Sequence, residues 1–206
     1  MAEPRIVPLA LEQIGAASEA LARAFHDDPL QTYVFPDPVE RASRSVPHFA
    51  ALLRYGLRFG KVLTTDAVPL GAAIWLPPDG WEMTPERAAA GGLDQLPTLL
   101  GTESAGRFTQ ALSAVEPFHH SDVSSDHWYV MVLGVAPEAQ GRGLGRGLLE
   151  PVIGRADAAR MSCYLETSQP ANVTFYTHLG FRVLRDVVDP PSGLRMWTFR
   201  RDPPID

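Results

Sequence analysis

The spacing of apolar residues over the first sixty positions predicts a short strand followed by two helices. Arg5–Leu9 has the composition of a strand, and Leu11–Phe25 repeats apolar residues at the three- and four-residue spacing of a helix. A second helix is predicted over Arg41–Phe59. Between these helices, His26–Pro29 and Phe35–Pro38 are rich in helix-breaking residues, so we expect a loop there.

The middle of the chain begins with two runs of strand-forming residues, Lys61–Thr65 and Leu70–Leu76. They are close enough in sequence to pair as antiparallel neighbours. The pattern weakens from Trp81 to His120, where Glu86–Ala90 and Gly106–Leu112 are the pieces with helical spacing. Short helices are therefore the expectation for this stretch.

The last third of the chain alternates strands with helices. Trp128–Val135 is an apolar run with β-branched and aromatic residues, long enough for a buried central strand. Helical spacing runs from Leu144 to Ala156, although Pro151 inside it predicts a kink or an early break. A strand, a helix and two closing strands are then predicted at Cys163–Thr167, Ala171–Leu179, Phe181–Val187 and Leu194–Arg200. This order predicts an α/β fold with a mixed sheet and helices on both faces.

Composition limits the class of protein. A chain of 206 residues with 45% apolar and 20% charged residues is predicted to form one domain over residues 1–206. The formal net charge of −6 argues against a nucleic-acid partner, because such partners select basic stripes.

Cysteine usage and the first residues bear on location. One cysteine, Cys163, is present, so an intramolecular disulfide and a cysteine-based zinc site are excluded. Glu3, Glu12 and Glu19 interrupt the N-terminal segment, which lacks the features of a signal peptide. No apolar run approaches the length of about 20 residues that spans a membrane. We therefore expect a cytoplasmic protein with no membrane partner and no metal.

A glycine-rich turn between the predicted central strand and the next helix is the strongest chemical signal. Gly141, Gly143 and Gly145 stand at alternate positions, where the absence of Cβ atoms lets backbone N–H groups converge. The start of the helix contributes partial positive charge, and Arg142 and Arg146 contribute full charges. The turn is therefore predicted to bind an anion, and a diphosphate matches these features.

Two other nucleotide-binding motifs fit the turn less well. A P-loop needs a Gly-Lys pair followed by Ser or Thr, and this turn contains no lysine. A dinucleotide-binding turn needs a third glycine three residues after the second, where this chain has Arg146 or Leu148. Glu166 is placed like the acid that binds a ribose in such folds, but too little chain follows it for a doubly wound fold.

The stretch Gln140–Gly145 resembles the acyl-CoA site of the GNAT superfamily of N-acetyltransferases, in which Gln/Arg-x-x-Gly-x-Gly/Ala follows a central strand. The resemblance continues through Leu165–Ser168, Asn172–Tyr176 and Leu179–Phe181. It implies a central mixed, mostly antiparallel sheet of about seven strands, flanked by helices.

Two further segments narrow the resemblance. The spacing of Gly71–Trp75 and His127–Tyr129 is similar to that of the puromycin N-acetyltransferase branch of actinobacteria. This likeness covers nearly the whole chain and implies a role like that of antibiotic-resistance enzymes.

The resemblance implies acetyl-CoA as the cofactor, with strand backbone along the pantetheine arm and the glycine turn around the pyrophosphate. The implied cofactor-binding residues are Leu133, Gly134, Val135, Gln140, Gly141, Arg142, Gly143, Leu144, Gly145, Arg146, Asn172 and Tyr176. A glycine inside a buried strand, as at Gly134, marks either the close approach of a ligand or tight packing.

Acetyl transfer to an amine needs a base and an acid, because an alkyl ammonium titrates near pH ~10.4 and attacks only after losing a proton. Glu166 interrupts an apolar strand, and we favour it as the general base, directly or through a water, over a structural role. The resemblance assigns Tyr176 the role of the acid that protonates the departing thiolate. The rival bases lie just before the central strand, at His119, His120, Asp126 and His127.

The acceptor pocket is predicted from the loop after the first helix and from aromatic strand residues. The candidate substrate-binding residues are Phe25, Asp28, Tyr33, Trp75, Trp128 and Tyr129. Aromatic rings can stack on a planar or apolar amine, and the same rings can equally form the core. Cys163 has no adjacent base, which favours direct attack of the amine in a ternary complex over a cysteine acyl-enzyme.

These features predict an acetyl-CoA-dependent N-acetyltransferase that acts on a small-molecule amine, as a monomer or a homodimer. Two alternatives stay open: an enzyme that acetylates a protein or peptide amine, and a non-catalytic module that binds acyl-CoA.

Overall fold

The structure is a computed structural model that describes residues 4–123 and 126–204, so both ends of the predicted 1–206 domain lie outside the described residues. The strands are β1 (Ile6–Pro8), β2 (Lys61–Thr65), β3 (Gly71–Leu76), β4 (His127–Val135), β5 (Ser162–Thr167), β6 (Arg182–Val188) and β7 (Arg195–Arg201). The helices are α1 (Ile14–Ala24), α2 (Pro29–Val34), α3 (Pro38–Phe59), α4 (Pro85–Ala90), α5 (Leu96–Leu100), α6 (Thr102–Ser113), α7 (Glu116–Asp122), α8 (Leu144–Ala158) and α9 (Ala171–His178).

The strands form one mixed sheet in the order β1-β2-β3-β4-β5-β7-β6. β4 and β5 run parallel, and every other neighbouring pair in this described sheet is antiparallel. The parallel pair is joined by α8, which crosses one face of the sheet. The predicted fold class, a mostly antiparallel mixed sheet of about seven strands, is confirmed.

Each face of the sheet is covered by helices, as the alternation along the strands requires. On one face, α1 and α3 pack on Val62, Ile74 and Val132. On the other, α8 and α9 pack on a second apolar cluster that includes Trp75 and Leu165. Every helix within the described ranges is too short or too polar to cross a bilayer.

The predicted loop over residues 26–38 is wrong in its centre, because α2 occupies Pro29–Val34. Pro29 stands in the first turn, where the missing N–H of proline costs no helical hydrogen bond. Asp28 caps this helix by accepting from the N–H groups of Leu30 at 2.9 Å and Gln31 at 3.4 Å. Proline after aspartate therefore starts a helix here rather than ending one.

The same Asp-Pro arrangement begins α3 three residues earlier than the pattern predicts. Asp37 accepts from the N–H groups of Val39 at 2.7 Å and Glu40 at 3.0 Å, and Pro38 is the first helical residue. Short helices between β3 and β4 are confirmed by α4 and α6. α5 and α7 were not predicted, and they are short, with five and seven residues.

Pro151 does not end α8 early, since the helix continues to Ala158. Proline in a helix costs about 3 kcal/mol. Leu148, Leu149, Val152 and Ile153 on either side of it are all buried against the sheet. Each buried aliphatic side chain contributes roughly 1.5–3 kcal/mol, so this packing outweighs the lost hydrogen bond.

Candidate active site

The centre of the sheet opens between β4 and β5. These strands pair over only three residues, from His127 with Ser162 to Tyr129 with Tyr164, and the described pairing ends there. An extra residue on β4, Met131, forms a bulge opposite Ile74 and Trp75 of β3. Since β4 continues to Val135 paired with β3 alone, its far half borders a gap rather than β5.

A cavity of about 590 Å³ lies at this gap, between α1, the start of α8 and α9. This volume is in the range of small-molecule and cofactor sites. The lining residues are Ala24, Phe25, Asp28, Leu133, Gly134, Val135, Ala139, Gln140, Gly141, Gly143, Leu144, Gly145, Arg146, Gln169, Ala171, Asn172, Phe175 and Tyr176. Eleven of the twelve predicted cofactor-binding residues are among them, and the twelfth is Arg142.

The glycine turn presents unpaired backbone donors to this cavity. Gly141 and Gly143 have φ values of 75° and 77°, a left-handed conformation that favours glycine. Gly143 precedes α8 without a side-chain cap, and the first helical bond runs from the N–H of Gly147 to the carbonyl of Gly143, at 3.0 Å. The N–H groups of residues 144–146 precede that bond, so they can bind a diphosphate at a 15-residue helix start.

Side chains around the turn hold its shape. Gln140 donates from Nε2 to the carbonyl of Val135 at 3.0 Å, which ties the turn to the end of β4. Arg142 donates to the carbonyl of Glu138 at 3.0 Å and lies outside the cavity wall. Arg146 lines the cavity and also pairs with Glu150 at 2.6 Å on the exposed surface of α8. Of the two arginines, Arg146 is therefore the one placed to face an anion.

Gly134 lines the cavity, but the position that a Cβ atom would occupy on this residue faces α1. A Cβ there would approach Phe25 to 2.7 Å and Leu21 to 2.8 Å, closer than real side chains stand. Tight packing of α1 on β4 therefore explains this glycine directly. Close ligand approach, the other reading of the sequence, is not needed to account for it.

Tyr176 on α9 lies at the cavity wall with 5% of its surface exposed. Its ring packs against Phe175, Phe181 and Phe199, with centroid distances of 5.1, 5.8 and 5.5 Å. Burial raises the pKa of the phenol well above its ordinary value, and the nearby carboxylate of Asp28 raises it further. The hydroxyl consequently keeps its proton at neutral pH.

Asp28 brings a carboxylate to the same wall. Besides capping α2, it accepts a hydrogen bond from the hydroxyl of Ser168 at 3.2 Å. Burial raises its pKa, and the hydrogen bonds from Gln31, Ser168 and Leu30 oppose that rise. The sequence suggested Asp28 as an acceptor contact, and the structure adds that this carboxylate shares a cavity with Tyr176.

Glu166 occupies a different surface of the gap. Alternation along β5 turns Leu165 toward α8 and Glu166 toward the opposite face of the sheet. Burial raises the pKa of Glu166 to about 7, while a hydrogen bond from Tyr129 lowers it. The side chain is 11% exposed, and its Oε1 lies 3.5 Å from Nδ1 of His119.

The remaining predicted acceptor residues separate into two groups. Phe25 lines the cavity, and Tyr129 lies beside Glu166. Trp75 and Trp128 belong to the buried cluster beneath α8, with 0% and 9% exposure, so the structure gives them core packing in place of acceptor contact. Tyr33 donates to Gln110 at 3.2 Å and packs between α2 and α6, away from the cavity lining.

Several residues of the site escaped the sequence interpretation. Phe175 and Ala139 line the cavity without any chemical signature. Trp81 stacks on His119 with ring centroids 4.4 Å apart, although 38 positions separate them in sequence. Within the described chain, no group of three or more His, Cys, Asp or Glu side chains is arranged to hold a metal ion.

Comparison with known proteins finds a match to a protein-family model over the part of the chain that includes β4, α8, β5 and α9. The family model described as an acetyltransferase (GNAT) domain matches residues 110–183. An uncharacterised N-acetyltransferase of Schizosaccharomyces pombe is 29% identical over 175 residues, covering 80% of this chain and 69% of that protein.

Solved structures show the same fold. A protein from Corynebacterium glutamicum, described as histone acetyltransferase HPA2 and related acetyltransferase, has a TM-score of 0.68 at 21% identity, covering 100% of this chain and 99% of that one. The polyamine N-acetyltransferase of Drosophila melanogaster, which forms N-acetylagmatine, has a TM-score of 0.61 at 16% identity, covering 97% of this chain and 100% of that one.

Proposed function

We propose that this chain is an acyltransferase that takes its acetyl group from acetyl-CoA and acetylates the amine of a small cationic molecule by direct attack in a ternary complex. The match of residues 110–183 to the acetyltransferase (GNAT) domain model and the likeness to an N-acetyltransferase of Schizosaccharomyces pombe support the proposal. The observation that carries the proposal is one cavity that joins the uncapped start of α8 to Tyr176 and Asp28. Donors for a diphosphate thus border the same space as Tyr176 and the carboxylate of Asp28, whereas Glu166 lies on the opposite side of the gap.

The residues at the glycine turn fit the donor. The N–H groups of residues 144–146 and the guanidinium of Arg146 would hold the diphosphate, and the backbone of Leu133–Val135 would hold the pantetheine arm. Asn172, whose side-chain amide donates to Thr167 at 3.0 Å, lies at the wall beside Tyr176. Acetyl-CoA supplies an acetyl thioester, which a neutral amine can attack.

Two carboxylates have separate roles toward the acceptor amine, one in proton removal and one in binding. We assign Glu166 as the base that removes the proton of the acceptor ammonium, because its raised pKa of about 7 makes it a stronger base than an ordinary carboxylate. Asp28 accepts hydrogen bonds from Ser168 and two N–H groups, which oppose the rise in its pKa that burial causes, and we assign its carboxylate the binding of the cationic acceptor.

Tyr176 acts at the other end of the reaction. Its buried phenol retains its proton at neutral pH, and we assign it the donation of that proton to the departing thiolate sulfur. Tyr176 and Glu166 face opposite sides of β5. The end of β4–β5 pairing at Tyr129 and Tyr164 leaves the gap open to groups from both sides.

The recessed position of the base favours a small acceptor over a folded protein surface. Glu166 and His119 have side-chain exposures of 11% and 8%. Phe25 and Tyr129 offer apolar contact near the carboxylates, which suits an amine with an aliphatic or aromatic body. The polyamine N-acetyltransferase of Drosophila has the same fold and, by its description, acts on this class of acceptor.

A release assay for free thiol tests the proposal. The enzyme is incubated with acetyl-CoA and one candidate amine at a time. The candidates are polyamines, agmatine, arylalkylamines, amino acids, aminoglycosides and the aminonucleoside puromycin, and mass spectrometry identifies each acetylated product. Puromycin belongs in the panel because the puromycin branch remains a proposal for this chain. We expect at least one amine to raise thiol release well above hydrolysis, and failure across the panel would remove the small-acceptor proposal.

A protein amine is the second candidate, favoured by the description of the Corynebacterium glutamicum relative. Labelled acetyl-CoA is added with the enzyme to a cell lysate, before and after removal of small molecules by gel filtration. Label that stays with protein after filtration would favour this candidate. Label found in the small-molecule fraction would support the first.

A further inference from the structure

Tyr129 and Glu166 lie on the same face of the sheet, at the point where β4 and β5 separate. Tyr129 is the last residue of β4 that pairs with β5, opposite Tyr164, and Glu166 follows Tyr164 by two residues. Paired residues on neighbouring strands point to the same face, and so do residues two apart on one strand. The two side chains are therefore diagonal neighbours at the start of the gap, where the hydroxyl of Tyr129 donates a hydrogen bond to the carboxylate of Glu166.

The backbone and the ring of Tyr129 are both held in place. Its backbone pairs with Leu76 of β3 as well as with Tyr164 of β5. Its ring centroid lies 4.6 Å from that of His119 and 6.4 Å from that of Tyr164. Because strand pairing and ring packing act together, the hydroxyl has a fixed position beside Glu166.

The phenol of Tyr129 acts as a donor toward the carboxylate. Burial raises the pKa of this phenol well above its ordinary value, and the negative charge of Glu166 raises it further. The hydroxyl consequently keeps its proton at neutral pH. A hydrogen bond donated to a carboxylate stabilises the charged form, and it therefore lowers the pKa of Glu166 against the rise that burial causes.

The other side chains close to Glu166 do not stabilise its charge in this way. Its Oε1 lies 3.5 Å from Nδ1 of His119, roughly 0.5 Å longer than an ordinary hydrogen bond. Burial, with His127 and His120 nearby, lowers the pKa of His119 to about 3. The ring of His119 is therefore uncharged at neutral pH and forms no ion pair with the carboxylate. The hydroxyl of Tyr164 does not hydrogen-bond to Glu166.

Charges farther from the carboxylate are paired with each other. Asp122 of α7 and Arg185 of β6 lie 2.6 Å apart and shift the pKa of Tyr164 in opposite directions. The backbone of Glu166 itself makes a second hydrogen bond that lowers the pKa of its carboxyl. Among the side chains of the described residues, Tyr129 is therefore the one that stabilises ionised Glu166 by a hydrogen bond.

We propose that Tyr129 is a positioning residue whose hydroxyl keeps the carboxylate of Glu166 ionised and oriented to take the proton of the acceptor ammonium. The proposal rests on the function proposed above, in which Glu166 is the base. Tyr129 itself exchanges no proton in the reaction. This role depends on the hydroxyl, whereas apolar contact with the acceptor depends on the ring.

Tyr129→Phe keeps the ring and removes the hydroxyl, and the pH dependence of kcat/KM with the acceptor found in the release assay tests the role. In wild type, kcat/KM should rise with a midpoint near pH 7. In the variant this midpoint should move upward by about one pH unit, because loss of the donor favours the protonated carboxyl. At pH 6, kcat/KM should therefore be about 10-fold lower than in wild type, whereas at pH 9 the two should agree within about 2-fold.

Tyr164→Phe is the matched control. Tyr164 is buried on the same face as Glu166, but its hydroxyl makes no hydrogen bond to that carboxylate. The midpoint in this variant should stay near pH 7. An unchanged midpoint in Tyr129→Phe, or an equal movement in both variants, would overturn the role of Tyr129.

Carbon NMR of protein with isotope-labelled glutamate carboxyl groups follows the same carboxyl without turnover. The resonance of Glu166 is identified by its loss in Glu166→Gln. Its titration midpoint should lie near pH 7 in wild-type protein and about one pH unit higher in Tyr129→Phe. The same midpoint in both proteins would contradict the proposal.

The two measurements separate this role from the function on which it rests. If wild-type enzyme acetylates no amine, the proposed function fails, and the NMR midpoint alone decides whether Tyr129 holds the carboxylate. If the NMR midpoint moves while the kinetic midpoint does not, another group is the base, and the role of Tyr129 in the reaction is overturned with that of Glu166.

Discussion

Ser168 donates a hydrogen bond of 3.2 Å from its hydroxyl to Oδ1 of Asp28, 140 residues earlier in the chain. This bond joins the segment after β5 to the start of α2, so two distant segments meet at the wall of one cavity. It also fixes the orientation of a carboxylate that faces Tyr176 across that cavity.

Asp28→Asn should weaken acceptor binding without unfolding α2, because asparagine caps helices about as well as aspartate. We expect KM for a cationic amine to rise about 10-fold, by loss of one charge-assisted contact of roughly 1.5–3 kcal/mol. The Kd of acetyl-CoA should be unchanged in calorimetry. Asp27→Asn is the control, since Asp27 is exposed beside it. Equal KM values in the two variants would count against the assigned role.

Glu166→Gln should remove the pH dependence that a base of pKa about 7 imposes. The carboxylate is the active form, so kcat/KM should rise with pH up to about 7 and then level in wild type. Deprotonation of the acceptor ammonium gives a second rise in kcat/KM, and the midpoint of this rise follows the pKa of the amine chosen. The midpoint of the rise that Glu166 causes is the same for every amine. Retention of the rise near pH 7 in the variant would assign it to another group.

Tyr176→Phe keeps the ring packed against Phe181 and Phe199 while removing the hydroxyl. Because the hydroxyl is assigned to the departing thiolate, kcat should fall about 100-fold with little change in acetyl-CoA affinity. Single-turnover thiol release and calorimetry measure the two quantities. A parallel loss of affinity would show that the phenol serves structure or binding instead.

Gly143→Asp and Gly143→Asn isolate the effect of charge at the glycine turn. Both side chains tolerate the left-handed φ of 77°, and they have nearly the same shape. The aspartate variant should bind acetyl-CoA at least about 10-fold more weakly than the asparagine variant, because it adds repulsion to the diphosphate. Raising the salt concentration should narrow this difference. Equal affinities would place the diphosphate elsewhere.

His48 on α3 is predicted to lower stability in acid. It is buried, neither ring nitrogen has a hydrogen-bond partner in the described structure, and burial lowers its pKa to about 4. The unfolded chain binds a proton at this residue below about pH 6.5, so its contribution is lost as the pH falls from 6.5 toward 4. His48→Leu should gain about 2 kcal/mol more stability at pH 5 than at pH 7.

Denaturant unfolding of both proteins at the two pH values measures this gain. His178→Leu is the control, because His178 is exposed. The comparison with wild type also cancels Glu166, whose raised pKa has the opposite sign and lowers stability as the pH rises from 4.5 to 7. A gain that is the same at both pH values would contradict the assignment to His48.

The order of elements and the glycine turn were determined by the sequence itself. Apolar periodicity located β2, β4 and α8, because a buried face must repeat at the period of its element. The glycine turn could also be predicted from the sequence, because local residues set its conformation. These local features are the φ values of Gly141 and Gly143 and the start of the following helix. The Asp-Pro starts of α2 and α3 were misread because proline both ends and begins helices.

Tertiary structure alone decided which distant side chains meet. The early end of β4–β5 pairing opens the cavity, and α7 brings His119 beside Glu166, 47 positions later. Tertiary packing also placed Trp75 in the core and Asp28 at the cavity wall. Such contacts depend on the packing of elements far apart in the chain, whereas periodicity reports only which face of each element is buried.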